Sequence, residues 1–128
     1  MSEVDLAESV ATLLDVPLDD AEVLTEATLW TLGQRITGGQ ASDLAARLPP
    51  RLEPLLAKDQ EEAEAFPYAE FVDRVAEYAD VDYTTAARAV AAVLRVLRDV
   101  VGEKEFQDAV AELPKEFHDL ALSRPRQS

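Results

Sequence analysis

A shift of 65 residues lays the second half of this chain over the first without a gap, and no other property constrains its fold as tightly. Val10-Ala11 then falls on Val75-Ala76, Asp15-Val16 on Asp80-Val81, and Leu48-Pro49 on Leu113-Pro114. Ala21, Ala27, Leu29 and Leu32 meet Ala86, Ala92, Leu94 and Leu97, while Asp43, Ala46 and Leu55 meet Asp108, Ala111 and Leu120. Fixed spacing over such a length is the trace of a copied structural unit, and copied units bury their apolar faces against one another. The expected architecture is therefore a duplicated helical bundle. It comprises a first repeat over 1–57, an acidic linker over 58–67, a second repeat over 68–122, and a disordered tail over 123–128. The two repeats are expected to share one core.

Helical period accounts for both halves, so the fold class expected is all-α. Each repeat divides into about four helices. The first spans 3–14, with a counterpart at 68–79, on the spacing of Leu6, Val10, Leu13 and Leu14 and of Phe71, Val75, Tyr78 and Ala79. The second and longest spans 18–36 and 83–101. Its stripes are Ala21, Thr25, Leu29, Leu32 and Ile36, and Ala86, Val90, Leu94, Leu97 and Val101. Asp82 is placed to cap the later copy, whereas the earlier one has Pro17 there, with Asp19 and Asp20 in its first turn to suit the helix dipole. Gly38-Gly39 and Gly102 stand where a left-handed residue would stop a helix. Short third helices are expected over 40–47 and 103–112. Leu-Pro corners follow them, and fourth helices start behind the prolines, over 51–56 and 115–122.

Composition narrows the function more than the fold. The formal charge is −14, with 26 Asp and Glu against 12 Lys and Arg. Such a field repels nucleic-acid backbones and anionic membranes, and favours a basic partner. There is no cysteine, which removes disulfides, thiolate metal sites and thiol nucleophiles. The acidic start, Met1-Ser-Glu-Val-Asp-Leu, does not resemble a signal peptide, and no apolar run is long enough to span a bilayer, so a cytoplasmic location is expected.

Chemistry-bearing patterns are missing. The chain has one histidine, His118, too few for a di-iron carboxylate bundle. A zinc site built on it with Glu112, Glu116 and Asp119 would lack soft ligands, and a surface histidine is the expected reading. No serine sits in a Gly-x-Ser-x-Gly elbow, and Gly38-Gly39 lacks the lysine of a phosphate loop. Glu61-Glu62-Ala-Glu64 lacks calcium-loop spacing. No catalytic, metal or cofactor site is expected.

Two surface features remain. Val23, Ala27 and Trp30 form a second apolar strip beside the core stripe, expected to pack between the halves or to meet a partner. Arg88, Arg95 and Arg98 line one side of the later long helix, where they would pair with acids of the other half or grip an anion.

Two stretches carry a family resemblance. They are Ala86-Ala-Arg-Ala-Val-Ala-Ala-Val-Leu-Arg-Val-Leu-Arg followed by Gly102-Glu, and Ala111-Glu-Leu-Pro-Lys-Glu-Phe-His-Asp-Leu. A looser copy appears in Ala27-Thr-Leu-Trp-Thr-Leu, Ala45-Ala-Arg-Leu-Pro and Leu55. Together they resemble the uncharacterised bacterial family catalogued as domain of unknown function 2267. The resemblance implies a duplicated helical bundle and transfers no catalytic residue. The function expected is a non-enzymatic protein-interaction module that binds itself or a basic partner. The alternative is a carrier or sensor of a small anionic ligand with a pocket between the repeats.

Overall fold

A computed structural model describes residues 3–56 and 61–122, with side chains from 6–56 and 61–118. The tail over 123–128 and the first part of the linker lie outside the described residues. Among them there are eight α-helices and no strand. They are α1 (Glu3–Leu14), α2 (Leu18–Arg35), α3 (Gly38–Ala45), α4 (Glu53–Leu56), α5 (Tyr68–Ala79), α6 (Tyr83–Val101), α7 (Glu103–Val110) and α8 (Lys115–Leu122). A 3₁₀ turn, Pro50–Leu52, leads into α4. No helix among the described residues is long and apolar enough to cross a membrane.

The long helices α2 and α6 pack against each other at the centre. Each end helix bridges both: α1 lies on α2 and α6, and α5 lies on α6 and α2. The short helices α3 and α7 meet at one side, α4 closes on α2 and α3, and α8 on α6 and α7. Every residue of the two long-helix stripes is buried. The aromatic centre is Phe71, which meets the Phe117 ring edge-on at 4.7 Å.

Helix ends show how local chemistry sets the breaks. Both α1 and α5 stop on an aspartate in the left-handed region, Asp15 (φ 57°) and Asp80 (φ 58°). The next amide closes the turn in each case: Val16 N donates to Ala11 O at 3.1 Å, and Val81 N to Ala76 O at 3.0 Å. This is the Schellman closure, with aspartate where glycine is commoner. Asp82 caps α6 by accepting from Thr85 N at 2.8 Å, and hydrogen bonding from the Thr85 side chain, then from its backbone amide, holds the carboxyl below the ordinary aspartate range. Pro17, before α2, offers no side-chain cap.

Several expectations need correction. Gly38 and Gly39 do not terminate α2; they open α3. The donors of that first turn decide this. Gly38 N donates to Glu61 O at 2.8 Å, Gly39 N to Glu61 Oε1 at 2.9 Å, and Gln40 N to Thr37 Oγ1 at 3.4 Å. Gly102 does end α6, at φ 94° and ψ 156°, outside the left-handed helical well in a region open essentially to glycine. Leu13 and Tyr78 leave the core stripe and are 43% and 42% exposed. The linker is not featureless, because Phe66 within it is buried and packs near Phe71.

Candidate functional site

Among the described clefts, the α2–α5 groove has aromatic walls. Trp30 projects from α2 and Tyr78 from α5, their rings 5.5 Å apart and tilted by 42°. With Gln34, Arg74 and Glu77 they line a cleft of about 450 Å³. Trp30 remains 41% exposed despite the contact. Large, partly wetted aromatic faces of this kind are enriched at recognition surfaces.

The floor is held by Arg74. Its Nη2 donates to Glu70 Oε2 at 2.6 Å, its Nη1 to Gln34 Oε1 at 3.0 Å, and both reach Glu64 Oε1 at 3.4 Å. The guanidinium also stacks 3.8 Å from the Phe66 ring centre. Arg74 thus ties α5 to α2 and to the linker, with its donors engaged. Arg35 makes a second tie. Its Nε donates to Phe66 O at 2.9 Å and its Nη1 to Glu112 O at 3.0 Å. Burial pulls the Arg35 guanidinium below its ordinary value, and Glu112 partly offsets this. Glu112 in turn accepts from Thr37 N at 2.8 Å, so a carboxylate of the second half sits at the start of α3.

The strip of Val23, Ala27 and Trp30 is not a continuous surface. Val23 and Trp30 are 41% exposed, but Ala27 is fully buried in the core that covers α2. Trp30 finds its neighbour across the groove instead. Tyr78 was legible only as a member of a helical stripe.

The three arginines do not converge. Arg95 lines a separate cleft of about 320 Å³ between α1 and α6, with Ser9, Thr12, Leu13, Val96 and Asp99. Arg88 is exposed and lies outside it. Arg98 bonds Glu103 of its own half at 2.8 Å. A third cleft, of about 600 Å³, lies between α3 and α4, with Gly38, Ser42, Ala46 and Glu53 in its wall.

No group of three or more His, Asp or Glu among the described residues could hold a metal ion. His118 is half-buried rather than a free surface residue, with Nε2 3.2 Å from Leu113 O. Tyr68 is pushed above the ordinary tyrosine range by burial, then by Tyr83 and Glu116. Its ring abuts Phe117 at 5.1 Å.

The fold and its clefts define an all-α protein in which two of the described grooves lie between helices drawn from opposite halves of the chain. A family model described as uncharacterized conserved protein (DUF2267) matches residues 5–120, and the chain belongs to that family. No curated protein matches the chain.

Proposed function

We propose that this chain is a duplicated, non-enzymatic helical module of the cytoplasm that docks a partner protein in the α2–α5 groove. The duplication draws support from elements that recur at 65-residue spacing. The bounds of α1 and α5 correspond, as do those of α3 and α7. Turn bonds correspond as well: Leu48 N to Ala45 O and Leu113 N to Val110 O, then Leu52 N to Pro49 O and Phe117 N to Pro114 O. Even the clefts correspond, since Ser9, Thr12, Leu13, Arg95 and Asp99 fall on Arg74, Glu77, Tyr78, Trp30 and Gln34. One unit copied once, with each end helix laid across the other unit, accounts for all of this.

The observation that carries the docking reading is the Trp30–Tyr78 pair, two large aromatics left over 40% exposed at the junction of the halves. Partly wetted aromatic rings brought together in a cleft are the kind of surface that partner proteins engage. The test is a photo-crosslinking phenylalanine derivative installed at Tyr78 in the native host. A discrete adduct with one protein, absent when Trp30→Ala is added, is the expected result. Adducts no different from those formed at exposed Lys104 would overturn it.

The anionic-ligand alternative draws on Arg95, which has no ion-pair partner among the described residues and shares a cleft with Ser9 and Thr12. Asp99 in the same wall opposes an anion, and Arg88 and Arg98 are not at hand to outweigh it.

A further inference from the structure

We infer that the α2–α5 cleft receives a cationic side chain, lysine or arginine, from a basic segment of the partner. This inference rests on the docking reading above and adds the chemistry of the occupant.

Two aromatic walls present negative π faces, and a cation seated over such a face is attracted by the ring quadrupole. Beside them stands the Glu77 carboxylate, exposed and without an ion-pair partner among the described residues. The one cation already in the cleft, Arg74, is saturated. Glu70 and Glu64 offset its charge, Gln34 takes a further donor, and one face is covered by Phe66. The cleft is thus electronegative with a flat apolar wall, the combination that suits an ammonium or guanidinium on an aliphatic stem. An anionic occupant would face Glu77 beside an Arg74 whose charge Glu70 and Glu64 already offset. A second copy of the chain is disfavoured because each carries a charge of −14.

The counterpart cleft sharpens the assignment. Arg95 stands where Trp30 is, Leu13 where Tyr78 is, and Thr12 where Glu77 is. Both aromatic rings and the carboxylate are replaced there, so one chain binds one cationic segment.

Trp30 is the only tryptophan in the chain, so its fluorescence reads this cleft alone. The probe is a blocked helical peptide with a single arginine flanked by leucines, compared with the same peptide carrying glutamine there. The expected result is saturable change at Trp30 with one peptide per chain, and binding about three- to tenfold weaker for the glutamine peptide. Glu77→Gln should weaken the arginine peptide by a similar factor, and Tyr78→Leu by at least as much. Asp99→Asn, which removes the same charge from the counterpart cleft, should leave it unchanged. All three positions are exposed, and thermal melts of each variant confirm the fold before titration.

Equal binding of the two peptides, with Trp30 still responding, overturns the cationic assignment while the docking reading stands. Equal weakening by Glu77→Gln and Asp99→Asn also overturns it, because overall acidity would then explain the attraction. Spermidine binding as tightly as the arginine peptide would overturn the choice of a peptide occupant. Absence of any response at Trp30 with either peptide removes both readings.

Discussion

The long helices α2 and α6 hold the same place in the two halves, yet they differ in a regular way. Thr25, Thr28 and Thr31 are buried on α2, and the positions 65 residues later carry Val90, Val93 and Val96, also buried. Threonine and valine share a shape, so the packing frame tolerates either. The hydroxyls of Thr28 and Thr31 turn back onto Leu24 O and Ala27 O, each at 2.8 Å, but Thr25 Oγ1 has no partner among the described residues. Elsewhere on the two helices shape itself changes. Trp30 faces Arg95 in the comparison, and Gly33 faces Arg98. Gly33 lets α4 approach so closely that an added Cβ would lie 3.3 Å from Leu55 O and from Leu56 Cα. The three threonine positions thus kept their shape, whereas Trp30 and Gly33 took on separate tasks, which is why the functional reading rests on the exposed Trp30 of one half.

Four substitutions break or sharpen this comparison. The largest effect is expected at the aromatic centre, which the second half has and the first lacks. Phe71→Ala should cost about 3–5 kcal/mol in denaturant unfolding, and its counterpart Leu6→Ala about 2–4. Near-equal losses would mean that the Phe71–Phe117 contact adds little beyond area.

Next is Gly33→Val, which forces α4 away from α2 and should destabilise by about 1–3 kcal/mol. Arg98→Ala at the matching place should cost less, because its pairing with Glu103 is solvent-screened. A neutral Gly33→Val would show that α4 is free to move, against the close approach seen here.

The third substitution should stabilise. Thr25→Val copies Val90 and removes a buried hydroxyl without a partner, so a gain of about 1 kcal/mol is expected from thermal melts. Thr28→Val, whose hydroxyl is bonded, should change stability by less. Destabilisation by Thr25→Val would place an unseen partner at that hydroxyl.

The smallest effect concerns the caps. Asp82 has its folded pKa depressed, so its contribution is complete above the ordinary aspartate value of 3.8 and fades as pH falls through the lower folded value. Asp82→Ser keeps a cap without the charge. The wild type should therefore lose more melting temperature than Asp82→Ser over that acid window, and the two curves should run parallel above it. Parallel curves throughout would mean the carboxylate form of the cap is not what holds α6. No such difference is expected from α2, where Pro17 offers no side chain to titrate.

Much of the fold was legible before any coordinates. The stripes of α2 and α6 are buried at every expected position, and helix bounds fall within two residues of those read from period and punctuation. Asp82 as a cap and Pro49 and Pro114 as corners followed from side-chain chemistry alone. The misreadings have a common source. Gly38-Gly39 looked like a stop because its stabilising partners, Glu61 and Thr37, act only once the linker lies beside α3. Phe66 was hidden among acids, since its burial depends on Arg35 and Arg74 arriving from two different helices. The candidate site was half legible. Trp30 stood out as an aromatic off the main stripe, but Tyr78 and Glu77 could not be assigned to the same cleft.

Sequence by itself determined the eight helices of the described residues and the inward stripes of α2 and α6, because hydrogen bonding along a helix, capping and apolar period are governed by residues a few places apart. Only the tertiary structure decided which outward faces meet. Laying α5 across α2 and α1 across α6 brought Trp30 to Tyr78 and Arg95 to Leu13. Those pairings rest on packing between segments roughly 50 to 80 residues apart, a distance over which neither period nor propensity carries information.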